Sequence, residues 1–268
     1  MPTSYVIPKA QQQKPPPGTM VDLEHPMGRG IVGCWLFNEA AGSRCNDLSG
    51  NNNNLTTVNA GKFVPSSLGI GMSCVGNDAG AVLSVTSATN PILVTGPLTL
   101  VWDGIPFSAP ANNSWIGGIT YDGSSSSPYD ACDFVYTNSG FFAFSIAIGG
   151  VAKQLSSFMT NGIRNQLVGT YTSGSQVLYI NSVPVASGSP TGSVGYGTNP
   201  YLGVGKQGNT RNPNTFANSL IIYNRALSPL EVQQIYAAPY CMFLPTGIRR
   251  FYSENIAVLP KYASSFII

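Results

Sequence analysis

The sequence predicts an all-β fold, an antiparallel two-sheet jelly-roll sandwich with one short C-terminal helix and extended terminal arms. Three observations predict it. Short apolar, β-branched stretches recur roughly every 8–12 residues with Gly, Asn or Ser between them, the spacing of a sandwich. Charged residues are only 9% of the chain while 43% is hydrophobic, and Gly reaches 30 and Pro 20. That mixture suits many short strands joined by tight turns and does not suit a charged, solvated disordered chain. Finally, Phe142, Phe144, Ile146 and Ile148 alternate with smaller residues, as a strand with one buried face requires.

Taken in order, residues 1–29 form a Pro- and Gln-rich N-terminal arm centred on Pro15, Pro16 and Pro17, which favour an extended polyproline conformation. Such an arm is either a loose tail or a strap that orders on a neighbouring subunit. Residues 31–37 read as the first core strand with Trp35 as its anchor, and 55–58 follow the polar tract Asn51-Asn52-Asn53-Asn54. Stretches 71–75 and 81–85 flank Gly76-Asn77-Asp78-Ala79-Gly80, whose turn chemistry predicts a hairpin. Strands are expected next at 98–102, 115–121, 133–136, 141–148, 166–171, 177–181, 183–186 and 201–204, and then at 220–223. After Asn224-Arg225-Ala226, Ser228 is placed to cap a helix, Pro229 fits its first position, and Glu231 completes a capping box. About two turns are available before Pro239, so this helix must lie on something apolar through Val232, Ile235 and Tyr236. The sandwich domain is expected over 30–244. The tail 245–268 is too apolar to be comfortably solvated, and we expect 240–244 to pack in cis with the remainder used for assembly.

Three phrases in the chain carry a family resemblance. They are Gly33-Cys34-Trp35-Leu36-Phe37-Asn38-Glu39 with Asp47-Leu48-Ser49-Gly50-Asn51; Leu167-Val168-Gly169-Thr170-Tyr171 with Val177-Leu178-Tyr179-Ile180-Asn181; and Ile222-Tyr223-Asn224-Arg225-Ala226-Leu227-Ser228 with Glu231. In that order they resemble the LamG-like jelly rolls of the concanavalin A-like lectin/glucanase superfamily, over roughly Gly30 to Tyr236. The resemblance implies a single sandwich domain. Its usual acidic residues before the closing phrase are replaced here by Asn218 and Ser219. Calcium at one rim is a further implication, with Asn77, Asp78, Asp122, Asp130 and Asp133 as candidate ligands, although turn chemistry alone accounts for acids at these places.

Composition excludes several partners. Lys plus Arg exceeds Asp plus Glu by 13 − 11 = 2, too little to steer nucleic acid or an anionic membrane surface. No apolar run approaches the roughly 20 residues of a membrane span. Cys34, Cys45, Cys74, Cys132 and Cys241 have no zinc-ligand spacing and read as buried free thiols, a Cys34–Cys45 bridge being the alternative. The first residues lack a charged and an apolar region of secretory type, which predicts synthesis in a host cytoplasm without a signal peptide.

Catalytic sets are sparse in the sequence. His25 is the sole histidine and lies in the arm, which argues against a Ser-His-Asp triad. None of Glu24, Glu39, Glu231 and Glu254 has an Asp two residues on, so the paired carboxylates of laminarinase-type relatives are missing; Asp130 with Asp133 is the one unconventional pair. Gly203-Val204-Gly205-Lys206-Gln207-Gly208 matches a dinucleotide fingerprint but precedes no helix. Together with the LamG-like resemblance, of the kind found in tailed-phage virion proteins, this implies a non-enzymatic structural component of a bacteriophage particle, of head-decoration or head-fibre type, without cofactor or resident metal. It would be homo-oligomeric and joined to other virion proteins through Pro15, Pro16, Pro17, Arg249, Arg250, Phe251 and Tyr252. The alternative is a carbohydrate-binding module or lectin-like adhesin for cell-surface glycans, with Trp115, Tyr121, Tyr129 and Tyr196 as candidate stacking residues.

Overall fold

Strands and turns alternate as the composition requires in the computed structural model, which describes residues 13–58, 61–75, 79–85, 89–121, 127–205 and 213–243. The first six strands are β1 (Ile31–Trp35), β2 (Arg44–Cys45), β3 (Leu55–Val58), β4 (Lys62–Ser66), β5 (Gly69–Cys74) and β6 (Gly80–Ser84). Then come β7 (Leu98–Pro106), β8 (Ser114–Thr120), β9 (Asp130–Tyr136), β10 (Phe141–Ile148) and β11 (Val151–Phe158). The chain continues through β12 (Asn165–Thr172), β13 (Ser175–Ile180), β14 (Val183–Gly188), β15 (Tyr201–Val204) and β16 (Thr215–Tyr223) to the helix α1 (Pro229–Ala237). All pairings are antiparallel. The first sheet has the order β14-β13-β12-β7-β16-β5-β4 with β1 also on β16, and the second has β11-β10-β9-β8-β15-β6-β3-β2. This is the expected two-sheet sandwich with one short C-terminal helix.

Between the sheets, Trp35, Leu100, Trp102, Phe134, Phe144, Leu220 and Ile222 form the main core. A second core lies on the outer face of the first sheet, where Cys34, Val101, Val168, Ile221 and Tyr223 meet Val232 and Ile235 of α1 together with Met27 and Phe243. Burial on both faces explains why Ile221-Ile222-Tyr223 is a continuous apolar run and does not alternate. The helix begins as its sequence dictates. Ser228 Oγ accepts the Glu231 N–H at 3.3 Å, and the Glu231 carboxylate accepts the Ser228 N–H at 2.8 Å.

The opening and closing phrases hold the ends of the chain together. Asp47 accepts the backbone N–H groups of Cys34 (3.1 Å), Ser49 (3.0 Å) and Asn53 (3.0 Å), tying β1 to the loop that follows it. Hydrogen bonds to an ionised acceptor contribute about 1.5–3 kcal/mol each. Arg225 donates to the carbonyls of Arg29 (2.9 Å) and Pro26 (3.1 Å) and pairs with Glu231 at 2.7 Å, while the Tyr223 hydroxyl donates to Met27 O at 3.0 Å. Gly30, at φ +79°, lies against this clamp, where a Cβ would stand 2.8 Å from Asn224 Oδ1.

Several expectations need correction. The stretches 71–75 and 81–85 do not pair as a hairpin, since β5 belongs to the first sheet and β6 to the second. The described part of the N-terminal arm is not loose but packs on its own sandwich: Val21 bridges Phe243, Met27 is buried, and Lys14 Nζ donates to Leu36 O, Ile70 O and Asn218 O. Cys34 and Cys45 do not bridge, because Cys34 joins the outer core and Cys45 the inner one. All five cysteines are free and buried. Burial pushes each thiol up and leaves it a poor nucleophile. The strands β2, β4 and β11 were not foreseen. No helix among the described residues is long and apolar enough to cross a membrane.

Candidate functional site

Two β-bulges shape the outer face of the second sheet. Between the pairs Ile119↔Cys132 and Thr120↔Asp130, β9 carries one extra residue, Ala131. Side chains three apart on a regular strand point to opposite faces, and the extra residue instead returns Asp130 to the face of Asp133. The contacts agree: Gln154 Nε2 of β11 donates to Asp130 Oδ2 at 2.9 Å, and Gln154 stands opposite Ser145, which stands opposite Asp133. The second bulge, at Ile116, sends Ile116 into the main core and leaves Trp115 opposite Val135, outside both cores.

A cleft of about 390 Å³ opens on this face. Tyr129 is its aromatic wall, Val135 its apolar patch, and Asp130, Gln154 and Thr137 add polar groups. Asn112, Asn113 and Asn138 complete the lining, which among the described residues includes a carboxylate and no cation. Tyr129 is 46% exposed and held at φ +65°, a backbone region unfavourable for a bulky side chain. Its carbonyl accepts the Tyr121 N–H at 2.8 Å, which fixes the turn carrying the ring. An exposed ring beside carboxamides and a carboxylate offers a stacking surface together with donors and acceptors for hydroxyl groups.

Next to the cleft lies a row of buried polar groups with nothing to bond. Both carboxylate oxygens of Asp133, the Ser145 hydroxyl and Trp115 Nε1 have no hydrogen-bond partner. Desolvation by burial, followed by the charge of Asp130, raises the Asp133 carboxyl well above the usual carboxylate range. In its protonated form Asp133 is a hydrogen-bond donor, an uncommon capacity for a carboxyl group.

The predicted aromatics separate into three environments. Trp115 is fully buried and cannot stack on a ligand from solvent, because the bulge turns it under the cleft region. Tyr121 and Tyr196 line a different opening, of about 580 Å³, beside Leu93, Val194 and Pro200. There the Tyr196 hydroxyl is already committed to Val94 O at 3.0 Å. Tyr129 alone combines exposure with a polar surround. Sequence reasoning missed Gln154, Asn112 and Asn138, and Gln154 was findable through the Gly149-Gly150 turn that introduces its strand.

Among the assembly candidates, Pro15 O accepts from Asn38 Nδ2 at 2.7 Å, Pro16 O accepts from Thr19, and Pro16 and Pro17 are exposed. Arg249, Arg250, Phe251 and Tyr252 lie outside the described residues, as do the calcium candidates Asn77, Asp78 and Asp122. No group of three or more His, Cys, Asp or Glu side chains is placed to hold a metal ion among the described residues.

Neither a protein-family model nor a curated protein sequence matches the chain. Solved structures do match in fold. A Trypanosoma rangeli sialidase in complex with 2,3-difluoro-KDN superposes with a TM-score of 0.60 at 19% identity, over 80% of this chain and 33% of that one. The binding domain of Paraclostridial Mosquitocidal Protein 1 gives a TM-score of 0.61 at 16% identity, over 78% of this chain and 52% of that one. The binding domain of Botulinum Neurotoxin DC in complex with SialylT gives 0.59 at 11% identity, over 79% and 52%. The chain thus spans about a third of the sialidases and half of the toxin domains, and at these identities the likeness is one of fold. It corrects the expectation that the chain is not an enzyme, because the same sandwich occurs within sialidase chains and the fold therefore does not set the chain apart from enzymes.

Proposed function

We propose that this chain binds carbohydrate, and that an uncharged glycan face stacks on Tyr129 in the cleft of the second sheet. The observation that carries this reading is the exposed, turn-held tyrosine ringed by Asn112, Asn138, Asp130 and Gln154. The fold likeness to the botulinum neurotoxin domain titled as a complex with SialylT supports it at the level of fold. The carboxylate of Asp130 and the lack of a cation in the lining favour neutral sugars over sialylated ones. The particle role expected from the sequence is compatible with glycan display, but no feature of the structure speaks for it.

The test is a glycan array with the purified full chain, followed by calorimetry on the best ligands with and without EDTA. Tyr129→Ala should weaken binding at least tenfold, about 1.4 kcal/mol. Unchanged affinity in that variant sinks the assignment to this cleft. Loss of binding in EDTA that calcium restores would add a metal to the site. Release of sugar from a bound glycan, abolished in Asp130→Asn with binding retained, would make the cleft hydrolytic, with Asp133 as the neighbouring protonated acid.

A further inference from the structure

The outer face of the first sheet is apolar under α1 but turns polar where the helix ends. A cleft of about 590 Å³ opens there, between the β4–β5 turn at Leu68 and the residues after α1 at Pro239 and Tyr240. We propose that this cleft is a second ligand site, for a small carboxylate that also carries a hydroxyl or amine.

The chemistry of its walls points to that class. Arg164 is pinned: Nε and Nη2 hold the buried Asp103 carboxylate at 2.7–3.2 Å, and the guanidinium carbon stands 5.8 Å from the centre of the Tyr236 ring. The planar group is therefore preorganised, and Nη1 has no acceptor among the described residues, on a side chain one third exposed. Asn218 has the complementary vacancy. Its Nδ2 donates to Asp103 Oδ1 (3.1 Å) and to the Tyr240 hydroxyl (2.9 Å), while its Oδ1 is buried with no donor. Since the Tyr240 oxygen accepts from Asn218, its proton is free to be given away. Arg164, Tyr240 and Asn218 thus line a single cleft with apolar flanks at Leu68, Ala237 and Pro239, and the unmet acceptor of Asn218 is buried in its wall.

A carboxylate satisfies Arg164 and Tyr240, and a hydroxyl or ammonium on the same molecule satisfies Asn218. Lys14 does not compete for the ligand, because its ammonium is filled by the carbonyls of Leu36, Ile70 and Asn218 at 2.6–2.9 Å. Burial lowers the pKa of the Lys14 ammonium to about 7 against the opposing pull of Asp103 and Glu39, so selectivity rests on the direction of Arg164 Nη1 more than on a net field.

Calorimetry on the full chain would use D-glucuronate and L-lactate as probes, with D-glucose as the neutral control. Saturable binding of at least one acid, at least tenfold tighter than glucose, is expected. Ala237→Trp, at an exposed position on the last turn of α1, should remove that binding by filling the mouth without touching the ion pair. Arg164→Lys should weaken it at least tenfold. Tyr129→Ala should leave it unchanged, which separates this site from the cleft on the other sheet. Binding of neither acid, equal binding of glucose, or full binding retained by Ala237→Trp would each overturn the proposal.

Discussion

The two sheets treat their outward faces in opposite ways. On the first, Val101, Val168, Ile221 and Tyr223 are apolar and the chain covers them itself with α1, Met27 and Phe243. On the second, the outward residues of β9, β10 and the edge strand β11 include Asp133, Ser145 and Gln154, and the polar atoms of Asp133 and Ser145 have no partner. An apolar face is stabilised by covering it with more chain. A buried polar atom gains only from a group that can bond it, and leaving it unmet costs about 1–3 kcal/mol. The contrast is between a face covered by the chain's own apolar residues and a face whose buried polar atoms are left unmet.

Substitutions can sharpen or break that contrast. The largest effect is expected from Asp103→Ala, which leaves Arg164 without its carboxylate partner and takes one of two acceptors from the Asn218 amide; removal of one partner from a buried pair costs about 3–5 kcal/mol, an upper bound for this partly exposed arginine, read by urea denaturation. Ile235→Ala, which opens a cavity under the helix, should cost about 2–5 kcal/mol in the same measurement. If it costs nothing, the helix is not what protects that face.

The next effect is one of pH. Asp133 has its carboxyl raised in the folded state, so between the ordinary carboxylate range and that raised value the folded chain binds more protons than the unfolded one. Stability should then fall as pH rises above about 4, by at most about 1.4 kcal/mol per unit for one proton. Asp133→Asn should flatten the slope, and an unaltered profile would show that Asp133 does not retain its proton. Ser228→Ala removes the helix cap and should cost about 1 kcal/mol. Tyr129→Gly should change stability least, within about 0.5 kcal/mol or slightly upward because glycine accepts its positive φ. Glycan binding should still be lost.

Much of the fold was legible because it is written locally. Ser228, Pro229 and Glu231 specify where α1 begins, and the strand over 141–148 follows from its alternation. What escaped was the polar edge. β11 has only Val151, Leu155 and Phe158 as large apolar residues, yet Gly149 and Gly150, at φ +58° and +72°, form the two-residue turn that forces a hairpin after β10. The candidate site was less legible, since a bulge is a register event between distant strands. Nothing local at Ala131 announces that Asp130 and Asp133 share a face, or at Ile116 that Trp115 is withdrawn from solvent. Nor could missing catalytic motifs settle the question of activity, because carboxyl groups are brought together by topology as well as by spacing.

The clamp formed by Tyr223 and Arg225 has a consequence for synthesis. It reaches carbonyls 196 to 199 positions earlier, at Met27, Arg29 and Pro26. On a ribosome the first strand must therefore wait, exposed along one edge, until almost the whole sandwich has emerged, since β16 is its only strand partner among the described residues. Nascent chains stalled before residue 223 should be protease-sensitive and chaperone-dependent, and release of the last strand should be the event that makes the product durable.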